Sequence, residues 1–131
     1  MNGETDIASL LKNMTPQLNE GGYVFCALSS IPDLNVEGII GAFKEREGWT
    51  VILDKTLADK LSYKYSYVAA WITLTVHSSL EAVGLTAAFS SALAKHFISC
   101  NVVAAYYHDH IFVAQKDAEK ALSVLRELAQ S

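Results

Sequence analysis

A small group of histidines and an aspartate is the part of the sequence that most resembles a chemical site. His108, Asp109 and His110 are consecutive, and His77 lies upstream. Imidazole and carboxylate groups are zinc ligands, and histidines two positions apart share one side of a strand. Polar residues are equally usual at a hairpin tip. A metal site or small enzyme using His77, His108 and His110 therefore stays one hypothesis. We predict instead a polar turn with no metal, cofactor or catalytic residue.

The two cysteines do not have the spacing of a reactive or metal-binding pair. Cys26 and Cys100 are isolated among apolar residues, with no CxxC motif, and isolated cysteines of this kind are usually reduced core residues. The serines lack a nucleophile-elbow pattern, and no glycine-rich phosphate loop is present. The sequence thus gives no specific support for a hydrolase or a nucleotide enzyme.

Composition excludes several classes of function. The chain has 131 residues, of which 51% are hydrophobic and 18% charged, below the roughly one quarter that is usual for globular domains. Much of the chain must then be covered by itself or by a partner, and an oligomer is one such arrangement. A net charge of -4 without a Lys/Arg cluster argues against nucleic acid as a partner. No run approaches the roughly 20 apolar residues of a membrane helix, so we expect a cytoplasmic protein.

The first half predicts a leading helix, three strands and a short helix. Gly21-Gly22 is expected to break the chain after the leading helix, and Gly48 to give the hairpin between the second and third strands a positive φ. The predicted elements are a helix at Ile7–Met14, strands at Tyr23–Leu28, Ile39–Lys44 and Trp49–Leu53, and a helix at Thr56–Leu61.

The second half predicts the order strand, helix, strand, strand, helix. Asp117 is the expected N-cap of the last helix. The predicted elements are strands at Val68–Val76, Ile98–Tyr106 and Ile111–Ala114, a helix at Gly84–Phe97 with the apolar stripe Leu85, Phe89, Ala92, Leu93 and Phe97, and a final helix.

The start of the helix that ends near Phe97 has two interpretations. Ser78 followed by Glu81 is a capping-box pattern, which would begin the helix at Ser79 and place Gly84 in its interior. An interior glycine costs about 1 kcal/mol relative to alanine. We therefore predict a turn before Gly84 and the main helix from that residue onward.

This element order is that of a ferredoxin-like unit, with helices covering one face of an antiparallel sheet. We predict an α+β fold of two ferredoxin-like, βαββ-type halves, residues 1–65 and 66–131. The second half lacks a final strand, which a strand of the first half could supply.

Several segments of the second half resemble the ACT domain, especially that of aspartate kinase. They are Val83-Gly84-Leu85, Ile98–Val102, Ile111–Val113 and Lys116–Leu122. The segment Phe43–Thr50 resembles small stand-alone proteins built from paired ACT-like units. The resemblance implies an N-terminal ACT-like half with a leading helix and a C-terminal ACT domain.

The resemblance also implies a site for an amino-acid-like ligand, often at an interface, and it favours a homodimer. A glycine allows close approach of the backbone, and N–H groups at the start of a helix attract a carboxylate. Gly84 could instead serve only a turn or close packing, and Asn101 only a backbone hydrogen bond. The implied ligand-binding residues are Ser78, Ser79, Val83, Gly84, Leu85 and Asn101.

Three functional hypotheses follow. The first is a non-catalytic regulatory or sensory module that binds an amino-acid-like molecule. The second is a module without ligand that docks on a protein partner, an enzyme or transporter, since Val83 stands where many ligand-binding members carry proline. The third is the enzyme or metal site that uses the histidines.

Overall fold

The computed structural model describes residues 6–31, 38–75 and 84–130, which form the predicted α+β protein. The elements are α1 (Ile7–Asn13), β1 (Pro16–Leu28), β2 (Ile39–Glu45), β3 (Gly48–Asp54), α2 (Lys55–Lys60), β4 (Val68–Leu74), α3 (Leu85–Lys95), β5 (Asn101–Ala104), β6 (Asp109–Ala114) and α4 (Ala118–Gln130). Within the described residues, no helix has the length and apolar character needed to cross a membrane.

The strands form a six-stranded antiparallel sheet in the order β2-β3-β1-β4-β6-β5. Because β1 is the neighbour of β4, the prediction that a first-half strand completes the second-half sheet is confirmed. The β2–β3 hairpin turns where predicted, with Glu45 opposite Gly48, and the φ of Gly48 is 147°.

The chain divides into two compact units, Glu20–Ala69 and Met1–Asn19 with Ala70–Ser131. The leading helix therefore belongs to the same unit as the second-half elements. The division into halves at residue 65 stays a prediction about the two ACT-like segments.

In the unit Glu20–Ala69, the core lies between the sheet and α2. Its buried members are Val24, Cys26, Val51, Leu53 and Ala58. The side chain of Asp54 accepts a hydrogen bond from the backbone N–H of Thr56 at 2.7 Å and caps α2.

In the other unit, α1, α3 and α4 pack in one apolar cluster with alternate residues of β4 and β6. Phe89 and Leu93 of α3 are fully buried there, together with Ile72 of β4 and Leu125 of α4. Successive strand residues point to opposite faces. Trp71 and Thr73 therefore lie on the face of β4 opposite to these helices.

Two strand predictions were wrong in extent. β1 is longer than Tyr23–Leu28, because Gly21 adopts a φ of 104° and the chain continues in the strand through the predicted break. β5 is shorter than Ile98–Tyr106, because the N–H of Ile98 is bonded to the carbonyl of Leu93 at the end of α3 and cannot join a strand ladder.

Three smaller corrections concern the last third of the chain. Phe97 was expected in the buried stripe of α3, but the helix ends at Lys95 and Phe97 is 94% exposed. Asp109 and His110 were expected in a turn, whereas they begin β6. Asp117 was expected as an N-cap, but it lies in a 3₁₀ turn that leads directly into α4.

Candidate functional site

The start of α3 is the part of the predicted ligand site that the structure describes best. Gly84 is the N-cap, is exposed and has a φ of 95°, outside helical geometry. The alternative in which the helix begins at Ser79 and continues through Gly84 is therefore wrong. The following residue, Leu85, is only 3% exposed and anchors the first turn in the core.

The first turn of α3 presents backbone donors. The carbonyl of Gly84 accepts the first helical bond, from the N–H of Ala88 at 2.9 Å, and no described side chain caps the helix. The N–H groups of residues 85–87 have no acceptor within the helix. Such a group of donors, with the positive end of the helix dipole, suits an anion such as a carboxylate.

Backbone conformation explains the glycine at position 84. A Cβ built on Gly84 would lie 3.6 Å from Cγ1 of Ile7, an ordinary van der Waals distance. Space is therefore available for a small side chain. The positive φ is what an L-residue adopts only at a cost, so this glycine is required by the turn into α3.

Among the described residues, Asn101 makes no contact with Gly84. It is exposed at the start of β5, and its Nδ2 donates to the carbonyl of Phe112 at 3.3 Å. The 11 residues of α3 span about 16 Å, with Gly84 at one end and the connection to Asn101 at the other. Within one copy, Gly84 and Leu85 are consecutive at the start of α3, and no described contact links either of them to Asn101.

Three of the predicted site residues, Ser78, Ser79 and Val83, lie outside the described residues, as do Glu81 and His77. Their part in a ligand site stays a prediction.

The histidine pair separates into two environments. His108 lies before β6, and its buried Nδ1 has no hydrogen-bond partner among the described residues. His110 lies within β6, where its Nδ1 accepts from Nε1 of Trp71 at 3.0 Å. Asp109, between them, is 8% exposed. Among residues 6–31, 38–75 and 84–130, no three His, Cys, Asp or Glu side chains gather in a metal-binding group.

His110 belongs to a polar network that crosses three strands. Oγ1 of Thr73 lies 3.2 Å from Nδ1 of His110 and accepts from Nδ2 of Asn19 at 2.9 Å. Because Trp71 can only donate to Nδ1, the neutral ring carries its proton on Nε2. Burial, and then the charge of His108, lower the pKa of His110. These bonds make His110 a structural acceptor between β4 and β6.

Burial also perturbs the other ionisable groups of interest. It raises the pKa of Asp109, and the nearby His108 acts in the opposite direction. Burial raises the pKa of Cys100 to about 11 and also raises that of Cys26. Both cysteines are free and lie within or against the apolar cores, as predicted. Thiols with raised pKa values are poor nucleophiles at neutral pH.

Sequence reasoning missed the partners of His110 and the exposure of Phe97. The alternation of β4 already placed Trp71 and Thr73 on one face, but the register that brings His110 to them is not a local property. No pattern in the sequence indicated the exposure of Phe97, since its helical spacing from Leu93 is that of a core residue.

Family models and solved structures show which known proteins this chain resembles. Two models described as ACT domain match residues 2–70 and 66–127. A Vibrio cholerae protein of unknown function, described as a possible transport protein, is 46% identical over 93% of this chain and 94% of that one, with a TM-score of 0.83. No curated protein matches the sequence.

More distant structures share the fold. The ligand-free regulatory subunit of Thermus thermophilus aspartate kinase has 11% identity and a TM-score of 0.63 over 88% of this chain and 96% of that chain. Escherichia coli aspartokinase III, solved with aspartate and ADP, has 14% identity and a TM-score of 0.61 over 91% of this chain and 35% of that chain. At these identities the likeness shows the fold alone.

Proposed function

The chain belongs to the ACT domain family, and from this membership we propose that it is a regulatory module that binds a small amino-acid-like molecule. ACT domains are typically regulatory and bind small molecules. We extend this role to the present chain and assign it no catalytic step of its own. The homodimer and the cytoplasmic location expected from the sequence stay predictions.

The observation that carries the proposal is the start of α3. Gly84 turns the chain into a helix whose first N–H groups have no intrahelical acceptor and no described side-chain cap. The α-carboxylate of an amino acid complements these donors in charge and in hydrogen bonding. Leu85, buried beneath them, holds this turn in place.

Asn101 contributes to such a ligand only from a second copy. Its distance from Gly84 along α3 is too great for one amino acid to touch both within the same unit. We therefore place the primary contact at Gly84 and Leu85, with Ser78, Ser79 and Val83 as the approach to it.

A thermal-shift panel of the common amino acids tests the proposal. A ligand at about 100 times its Kd stabilises the native state by about 2.7 kcal/mol. For a chain of this size, that corresponds to a rise in Tm on the order of 10 °C. Each amino acid that gives a rise is then compared with its carboxamide. Loss of the shift with the carboxamide would support recognition of the carboxylate.

Two substitutions at one position locate the site. Asp and Asn have the same shape, both tolerate the left-handed conformation, and both cap helices. They differ in charge, so Gly84→Asp should weaken binding of a carboxylate by repulsion, whereas Gly84→Asn should keep more of it. Equal affinities in calorimetry for the two variants would mean that the ligand binds elsewhere.

A panel with no shift for any amino acid contradicts the proposal. It would favour the alternative in which the fold is retained without a ligand and docks on an enzyme or transporter.

A further inference from the structure

Phe97 occupies a position at the end of α3 where helices usually have glycine. The N–H of Ile98 bonds to the carbonyl of Leu93 at 3.1 Å, and the N–H of Phe97 bonds to that of Ala94 at 3.0 Å. These two bonds define a Schellman motif, whose left-handed residue is most often glycine. Here that residue is Phe97, with a φ of 60°.

Within the part of the chain that the structure describes, no packing contact accounts for this phenylalanine. Its backbone is in a conformation that is unfavourable for a bulky L-residue, and its side chain is 94% exposed. A single exposed apolar residue is ordinary, but one that also imposes backbone strain is not. An aromatic ring at such a position, with no packing partner among the described residues, suits a contact with another molecule.

A groove lies beside Phe97, between α3 and α4. It has a volume of about 210 Å³. Ala92, Val124 and Leu128 give it an apolar surface, and His96, the residue before Phe97, lines its edge. An apolar cavity on the order of 150 Å³ is enough for benzene. The groove therefore has room for one aromatic ring.

The charges at the groove favour a second copy of this chain as its occupant. Lys95 and Glu127 both line it, both are exposed, and neither forms an ion pair among the described residues. Across a two-fold axis, if one residue of the first copy contacts a second residue of the other copy, the same two residues also make this contact with the copies exchanged. Lys95 of each copy can then face Glu127 of the other. The surface is therefore complementary to itself in charge.

We propose that two copies of this chain associate about a two-fold axis, with Phe97 of each inserted in the α3–α4 groove of the other and with Lys95 opposite Glu127. The ring supplies the apolar anchor of the contact, and the charged pairs at the rim fix its orientation. The ligand site at Gly84 is at the other end of α3, so the contact leaves it open.

Removal of the ring gives the first test. Sedimentation velocity of the full chain, over a series of concentrations, should show a monomer–dimer equilibrium for the wild type. Phe97→Gly and Phe97→Asn both tolerate the positive φ and should raise the dissociation constant by roughly tenfold or more, as loss of a central anchor does. Phe43, 72% exposed on β2, provides the control, and Phe43→Asn should leave the constant unchanged.

A wild type that stays monomeric, or Phe97 variants that associate as the wild type does, would overturn the proposal. An equal loss with Phe43→Asn would also overturn it, because the effect would then follow from general surface apolarity.

Exchange of charges identifies the occupant. Lys95→Glu and Glu127→Lys should each weaken self-association, since each places like charges opposite each other. Mixing the two variants should restore a dimer, because both pairs become complementary in the mixed species. Failure of the mixture to recover, or unchanged association of each single variant, would rule out this pairing of two copies.

Discussion

Each end of α3 carries a residue in the left-handed region, and the two residues differ in side chain: one is a glycine and the other a phenylalanine. At the N-terminal end, Gly84 has a φ of 95° and no described side chain caps the helix. At the C-terminal end, Phe97 has a φ of 60°, and Nζ of Lys120 donates to the carbonyl of His96 at 3.0 Å. At the N-terminal end the first backbone donors have no acceptor among the described residues. At the C-terminal end the carbonyls of Leu93, Ala94 and His96 accept hydrogen bonds, and an aromatic ring is exposed.

The two proposals made for α3 rest on this difference. Glycine adopts the positive φ without strain, so Gly84 is explained by the turn alone, and the N–H groups that follow it form the proposed site. Phenylalanine adopts it at a cost, which is the reason for proposing a further contact for Phe97. A small ligand at one end and a second copy at the other would therefore act on the same rigid element.

The largest effect should come from the buried side chain between the two ends. Phe89 is fully buried in the middle of α3. Phe89→Ala should lower the free energy of unfolding by about 3–5 kcal/mol, because it leaves a cavity in the core. Urea denaturation measures this change. Ser91→Ala, on the exposed face of the same helix, should stay within about 0.5 kcal/mol of the wild type. A small loss for Phe89→Ala would mean that α3 is not the rigid element on which the comparison depends.

The next effect concerns the N-terminal end. Gly84→Ala should lower the free energy of unfolding by about 1–2 kcal/mol, since an L-residue is strained at this φ. Gly41→Ala is a matched control. Its Cβ would also meet an apolar side chain at van der Waals distance, 3.8 Å from Cδ1 of Ile52, but its φ lies outside the left-handed region. Equal urea midpoints for Gly84→Ala and Gly41→Ala would mean that the positive φ is not the reason why position 84 requires glycine.

Local patterns predicted the N-terminal end better than the C-terminal end. Helical spacing placed Leu85, Phe89 and Leu93 in the core, because periodicity reports burial on one face of a continuous helix. The same spacing failed at Phe97, because the helix stops at Lys95 and the chain changes direction. Gly84 was predicted correctly as the start of α3 because a glycine before an apolar stripe is a signal within a few residues.

Features that depend on distant parts of the chain were missed. The bond from Asn101 to the carbonyl of Phe112 needs the β5–β6 register, and the acceptor role of His110 needs the pairing of β4 with β6. Neither register is set by the residues close to Asn101 or His110 in sequence. The match of Asn101 to a family position could therefore suggest a ligand contact. It could not show that the length of α3 separates Asn101 from Gly84.

The reciprocal substitution at the C-terminal end should have the opposite sign. Phe97→Gly relieves the left-handed strain, although glycine also increases the entropy of the unfolded chain. The net result should be a gain of about 0.5–1 kcal/mol in the free energy of unfolding, because the strain relieved exceeds the entropy cost of glycine. The measurement belongs at concentrations where the wild type is monomeric, so that self-association does not contribute. A clear loss of stability would mean that the ring of Phe97 already packs within its own chain.

The smallest effect concerns the cation that caps the C-terminal end. Nζ of Lys120 reaches across from α4 to the carbonyl of His96, where a positive charge also complements the helix dipole. Lys120→Ala should lower the free energy of unfolding by about 0.5 kcal/mol at low ionic strength. The difference should shrink in high salt, because the site is exposed and screening weakens the charge interaction. Lys120→Arg keeps a donor and a charge and should recover most of the loss. If the alanine variant matched the wild type at low salt, the bond would not stabilise this end. The Schellman motif alone would then hold Phe97 in its outward position.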